Sequence, residues 1–201
     1  MEVKLLTYTP DGDRIASSAT KATRKNEMVL EDKCDNKFTT NIINIGHRGV
    51  LEHTYFTFHV SKISRVLTHQ LVRHRIASYL QQSGRHVTPK KTDYVIPPSI
   101  HTVHELQHYK EYMEFQWDNF QSLKKMGVPL EDARYVLPDG YYTHITITMN
   151  ARTLRHFFEL RCDEHAQWEI RDLATRMLEI CHEVYPIFFN DLYQKFMINE
   201  K

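Results

Sequence analysis

Arg73, His74 and Arg75 stand in a row, and after seven intervening residues come Ser83, Gly84 and Arg85. Guanidinium groups are permanently charged, planar and forked, so several of them around a hydroxyl and a glycine suit bidentate capture of an anionic oxygen cluster. Phosphate is the anion such a set points to. The competing explanation is a solvated basic turn, which a short run of cations commonly is. Ser83 is the most conspicuous nucleophile. No residue beside it in the sequence can serve as its general base, so it reads as a ligand contact.

A second cluster lies between Asn150 and Trp168. Asn150 is placed to cap a helix. At helical spacing Arg152, His156 and Glu159 fall near one side, while Leu154, Phe157, Phe158 and Leu160 supply apolar surface. Arg161, Asp163 and His165 crowd an expected helix junction. The plain alternative is an amphipathic helix with a salt-bridged outer face. A strand end that feeds Asn, Arg and His into a helix start is nonetheless a favourable place to meet a ligand.

Two further features invite chemistry. His104-Glu105-Leu106-Gln107-His108 fits a zinc-protease pattern, with both histidines on one helical face and His101 a turn earlier. The extended pattern fails, because Glu111 and Glu114 stand where a glycine and a third histidine belong, so no metal site is expected. The three cysteines, Cys34, Cys162 and Cys181, form no C-x-x-C pair. Cys162 adjoins Arg161, yet free cysteines are usually small buried hydrophobes. None is taken as a nucleophile.

The elements that must position these groups read as an α+β fold. Residues 2–8 suggest a strand ended by Pro10-Asp11-Gly12, and residues 13–46 are helical in pieces, with Phe38, Ile42, Ile43 and Ile45 as the buried side of the second. Tyr55 to Val60 alternates as a half-buried strand, with Phe56, Phe58 and Val60 on one face. Apolar residues at Ile63, Val66, Leu67 and Leu71 predict a helix over 63–74, on which Gln70, Arg73 and His74 share a side. Ser78–Arg85 follows as a loop. A long aromatic helix spans 100–126, stopped at Gly127-Val128-Pro129, and a short one spans 130–137 before Pro138-Asp139-Gly140. Tyr142 to Met149 is the clearest strand, dense in β-branched residues. Helices over 151–160 and 163–183 and a third after Pro186 close the chain. Strands and helices do not alternate regularly, which favours α+β over a doubly wound parallel sheet.

At 201 residues the chain reads as one domain over 1–201, large enough for a real core. A formal net charge of +1 makes the basic segment a local feature and argues against a general nucleic-acid binder. Thirteen histidines leave the real charge sensitive to pH. The N-terminal Met-Glu-Val-Lys-Leu-Leu-Thr-Tyr lacks the apolar run of a signal peptide, and no segment approaches transmembrane length. A cytoplasmic protein without a disulfide framework is expected.

Taken together, the blocks resemble the flavin-dependent thymidylate synthases. Arg73-His74-Arg75, seven residues, then Ser83 is similar to that family's signature. Gly46-His47, Leu51-Glu52-His53, Phe56-Thr57-Phe58, Ala133-Arg134-Tyr135-Val136-Leu137-Pro138, Asn150-Ala151-Arg152 and Arg161 through Glu169 stand in family order and spacing. The resemblance covers roughly residues 40–170. It implies reductive methylation of dUMP to dTMP, with methylenetetrahydrofolate as carbon donor and FAD reduced by NADPH as hydride source. It also implies a homotetramer with shared active sites and a mostly antiparallel central sheet packed by helices. By residue, it places Gly49, Arg73, His74, Arg75, Gln81, Asn150, Arg152 and His156 at the flavin. Gln70, Arg73, Gln81, Gln82, Ser83, Gly84, Arg85, Arg134 and Arg161 fall at the nucleotide, with Arg161 activating the uracil ring. His47 and His53 match histidines of the flavin and folate region. Gly49 stands where family members often carry Ser or Thr, Leu80-Gln81 replaces a frequent Asn-Glu, and residues 16–26 match poorly. On the residues alone, a non-catalytic nucleotide or nucleic-acid-binding module and a zinc hydrolase remain alternatives.

Overall fold

The computed structural model describes residues 1–27 and 29–198. Met28 and residues 199–201, which the expected domain also spans, lie outside the described residues. The elements are β1 (Glu2–Tyr8), α1 (Gly12–Ala22), α2 (Asn36–Asn44), a 3-10 turn (Arg48–His53), β2 (Tyr55–Ser64), α3 (Arg65–Leu71), β3 (Ala77–Gln81), α4 (Val103–Lys125), α5 (Leu130–Ala133), β4 (Tyr142–Asn150), α6 (Ala151–Arg161), α7 (Trp168–Val184) and α8 (Pro186–Tyr193). The strands form one four-stranded antiparallel sheet in the order β1-β2-β4-β3. This is the mixed helix and strand class that the irregular alternation of elements predicts.

Two compact units share the chain. One comprises Met1–Glu2, Val60–Leu71 and Leu80–Ile145; the other comprises Val3–His59, Val72–Tyr79 and Thr146–Lys201. In the second unit, the alternation of β2 buries Phe56 and Phe58 while Thr57 and His59 stay on the opposite face. The buried rings meet α6 and α8: Phe56 lies 5.9 Å from Phe189 and Phe158 lies 5.8 Å from Phe189, centroid to centroid. Edge-to-face contacts of this kind add to the area each ring buries. On the other face of the sheet, Thr57 bonds Thr148 at 3.0 Å and His59 bonds Thr146 at 3.2 Å. Buried Arg155 anchors α8 by donating to the Phe188 carbonyl and the Asp191 carboxylate.

The first unit is built around Tyr94, Met113 and Tyr141, flanked by Tyr109, Trp117 and Leu137. The Tyr141 hydroxyl donates to the Met113 carbonyl at 2.8 Å, which ties the residue just before β4 to α4. Helix α4 begins at a capping box between Thr102 and Glu105 and ends at Gly127, whose φ of 87° suits a residue without a Cβ.

Several expected elements change. The helix predicted over 63–74 is only Arg65–Leu71: Ile63 and Ser64 finish β2, and the Ser64 hydroxyl accepts from Leu67 N at 3.0 Å as the helix cap. Arg73 and His74 therefore lie beyond the helix and do not share a helical side with Gln70. Val66, expected on the apolar face, is exposed. The expected loop over 78–85 opens as strand β3, which pairs beside β4. Ile45 is exposed because α2 ends at Asn44 and the chain turns at Gly46, where φ is 91°. Leu160 is exposed as well. Helix α7 starts at Trp168 rather than 163, since the Gln167 side chain accepts from Glu169 N and Ile170 N and caps it there.

Candidate active site

The sequence-predicted site residues fall into two groups. The unit that contains α6 holds Gly49, Arg73, His74, Arg75, Asn150, Arg152, His156 and Arg161. The unit that contains α4 holds Gln70, Gln81, Gln82, Ser83, Gly84, Arg85 and Arg134.

In the first group, helix α6 sets the geometry. Asn150 closes β4, and its Oδ1 accepts from Thr153 N at 2.9 Å, so it is the cap its position predicts. Arg161 is the last residue of α6, and its Nε donates to His74 Nε2 at 2.9 Å. His74 is buried, edge-on to Phe157 with centroids 4.9 Å apart and 6.4 Å from His156. Burial first, then the positive charge of Arg161 and the neighbouring His156, push its pKa down to about 4. The expected row of three cations is thus broken in the middle: Arg73 and Arg75 are exposed, and His74 is neutral at physiological pH. A neutral imidazole that accepts at Nε2 carries its proton on Nδ1. The Tyr79 hydroxyl donates to the His74 carbonyl at 2.9 Å. Burial pushes that phenol up to about 12, so it remains a donor.

The 3-10 turn that bears Gly49 is tied to α6 by two ion pairs, Arg48 with Glu159 at 3.0 Å and Arg152 with Glu52. Gly49 has open space around its Cα, so its lack of a side chain is not a packing requirement. Among the described residues Arg75 forms no ion pair, and Arg152 is held only by an exposed carboxylate that a stronger anion can displace. Arg73, Arg75 and Arg152, with exposed His156, are a donor set that fits the pyrophosphate of a dinucleotide flavin.

In the second group, the turn after β3 carries the serine. Ser83 Oγ accepts from Arg85 N at 3.3 Å, and the Ser83 carbonyl accepts from His86 N and Val87 N. Arg85 pairs with Glu131 at 2.7 Å, both exposed, and Arg134 Nε donates to the Glu131 carbonyl at 3.0 Å. Gln81 Nε2 donates to Thr68 Oγ1 at 3.1 Å and to Thr143 Oγ1 at 3.4 Å. That leaves its Oε1 as an acceptor, the role a carboxylate would play at this position. Gln70, in the last turn of α3, is half-buried, and Gln82 is fixed by its backbone N–H to the His144 carbonyl at 2.9 Å.

Gln82, Gly84 and Arg134 line a cavity of about 880 Å³. Its wall carries Lys62, Arg65, Lys90 and Arg134 against Asp93 and Asp139, so it favours an anion. Arg65 is the residue that sequence reasoning missed. Its Nη2 and the Arg134 Nη1 lie 3.2 Å and 2.7 Å from where a Cβ on Gly84 would stand. Burial first and the Arg134 charge second lower the Arg65 pKa, so two guanidinium groups are held against their mutual repulsion. In the sequence Arg65 was only a residue on an amphipathic helix. The nearest signal was its place eight residues before Arg73.

The remaining candidates lie elsewhere. His104, Glu105 and His108 are exposed on α4, and the Glu105 carboxylate is occupied by the Thr102 and His101 backbone N–H groups. Among the described residues no group of three or more His, Cys, Asp or Glu side chains is arranged to hold a metal ion. Burial raises the pKa of Cys34 and of Cys181, which keeps both as thiols. His47 and His53 are exposed.

Comparison with known proteins agrees with this donor chemistry. The family model described as thymidylate synthase complementing protein matches residues 4–187. The flavin-dependent thymidylate synthase of Saccharolobus solfataricus is 45% identical over 197 residues, covering 94% of this chain and 75% of that protein. That of Geobacter sulfurreducens is 44% identical over 200 residues, covering 95% and 86%. That of Sulfurisphaera tokodaii is 42% identical over 208 residues, covering 100% and 80%. The chain belongs to the flavin-dependent thymidylate synthase family.

Proposed function

We propose that this chain converts dUMP to dTMP, taking the new carbon from methylenetetrahydrofolate and the hydride from FAD reduced by NADPH. The observation that carries this proposal is Arg161. Its Nε is engaged by neutral His74, and among the described residues its two terminal nitrogens make no hydrogen bond. A fixed, permanently charged fork is what stabilises negative charge on a uracil imide as its C5 becomes nucleophilic. Bond formation between C5 and the methylene carbon, departure of the folate nitrogen and loss of the C5 proton leave a methylene group that a hydride completes to the methyl. FAD held here and reduced by NADPH would supply that hydride, which no side chain carries.

Arg73, Arg75, Asn150, Arg152 and His156 hold the flavin, with Gly49 offering backbone only. Gln70, Gln81, Gln82, Ser83, Gly84, Arg85 and Arg134 hold the nucleotide, joined by Arg65, and Arg73 and Gln81 serve both. The single catalytic domain works as a homotetramer in the cytoplasm. Ile76 and Leu80 are 78% and 76% exposed between the two halves of the basic motif, apolar surface that suits a subunit contact. Three cysteines that form no disulfide among the described residues suit a reducing compartment. Among the described residues no helix is long and apolar enough to cross a membrane.

The purified protein is expected to be yellow and to bleach anaerobically with NADPH, faster when dUMP is present. A colourless protein that cannot take up added FAD contradicts the proposal.

A further inference from the structure

We propose that His74 is a positioning residue for the reaction: its neutral imidazole, accepting at Nε2, fixes the Arg161 guanidinium so that its terminal fork is set before the nucleotide arrives. This rests on the role given above to Arg161, and it reassigns a histidine otherwise placed only at the flavin. The geometry that supports it is one contact and its surroundings. Arg161 Nε donates to His74 Nε2 at 2.9 Å, and the ring is locked edge-on against Phe157. A purely packing role needs no acceptor: Leu or Phe would fill the site without burying an imidazole nitrogen, which is costly unless it is bonded.

What the contact achieves follows from the arginine. A free arginine side chain carries about 2 kcal/mol of rotamer entropy. Anchoring Nε removes much of that freedom in advance and leaves the planar end as the only part offered to a ligand. The acceptor must also be uncharged. A protonated ring has no lone pair at Nε2 and would repel Arg161. The groups facing His74 enforce the neutral form: Arg161 and His156 come from α6, and among the described residues no carboxylate is one of the groups acting on it. On the backbone side, Tyr79 of β3 holds its carbonyl. Arg73 and Arg75 flank it in sequence and add no negative charge.

Two substitutions in the FAD-loaded protein separate positioning from packing. His74→Leu keeps bulk and removes the acceptor. His74→Gln restores an acceptor near Nε2 and cannot be protonated in this range. With flavin content and thermal stability checked, His74→Leu is expected to lower kcat about 100-fold, the scale of a misplaced catalytic group, with a much smaller change in the KM for dUMP. His74→Gln should recover at least about tenfold of that loss and remove the acid limb expected of the wild type as pH falls toward 4. Independently of activity, Arg161 Nε–H in 15N-labelled protein should exchange slowly in the wild type and rapidly in His74→Leu.

Equal kcat in the wild type and His74→Leu, or an unchanged acid limb in His74→Gln, overturns the proposal while leaving the synthase assignment intact. Should His74→Leu fail to fold, the pH profile of His74→Gln and the wild-type Nε–H exchange still decide. Absence of dTMP formation by the wild type would instead overturn the function itself.

Discussion

Gly84→Ala probes the nucleotide site with a single methyl group. A Cβ at this position would stand 2.7 Å from Arg134 Nη1, 3.2 Å from Arg65 Nη2 and 3.4 Å from Arg134 Cδ. Favourable non-bonded separation is about 3.5 Å or more, so the Arg134 guanidinium must retreat by roughly 1 Å. The obstructing atoms are ends of flexible side chains, and the backbone at Gly84 has no positive φ. The fold is therefore expected to survive, and the loss of unfolded-state freedom stabilises it by up to about 1 kcal/mol. A displaced guanidinium forfeits its hydrogen bond to a phosphate. Such a charge-assisted bond is worth about 1.5–3 kcal/mol, or roughly 10- to 150-fold in a binding constant. Calorimetric titration of the FAD-loaded protein with dUMP, beside thermal unfolding, reads both quantities. Arg65→Gln should weaken dUMP in the same direction if the two guanidinium groups share the phosphate. Unchanged dUMP affinity in Gly84→Ala at unchanged stability would refute the placement of the phosphate at this wall.

Other outcomes follow from the same structure. Ser83→Ala should weaken nucleotide binding yet retain measurable turnover, because the hydroxyl is a contact; complete loss of chemistry with intact binding would contradict that. Gly49→Ser meets nothing within 4 Å, so it should fold normally and tighten FAD; a fluorescence titration showing equal or weaker binding removes Gly49 from the flavin site. His74 has a folded pKa lowered from 6.5 to about 4. The unfolded chain therefore takes up the proton first, and stability should fall as pH drops from about 6.5 to about 4. The slope of melting temperature over that window should flatten in His74→Leu. Gly12→Ala puts a methyl 2.5 Å from Thr54 Cγ2 in a buried site. Overpacking of this kind costs about 1–3 kcal/mol, and an unchanged melting temperature would show that Thr54 can move aside.

The sequence made β4, α4 and α6 legible because their signals are local. β-branched alternation runs through Tyr142 to Met149, Gly127-Val128-Pro129 stops one helix, and Asn150 caps the other. It misled over 63–74, where apolar spacing continued but Ser64 starts the helix late and the chain leaves it at Leu71. It made the charged side chains visible but not their states. His74 lies between two arginines and looks cationic; only tertiary burial against Phe157 and the approach of Arg161 make it neutral. Arg65 was invisible for the same reason, since its meaning depends on Arg134 and Gly84 converging on it. The family resemblance supplied most of the candidate site residues, and the structure added Arg65 as a further candidate together with the link between His74 and Arg161.

The most direct test is the identity of the products when purified, FAD-loaded protein is incubated anaerobically with dUMP, methylenetetrahydrofolate and NADPH. If the hydride comes through the flavin, the folate is not oxidised, so dTMP and tetrahydrofolate should form together in equal amounts. No dTMP, or dTMP accompanied by dihydrofolate, would contradict a flavin-dependent thymidylate synthase.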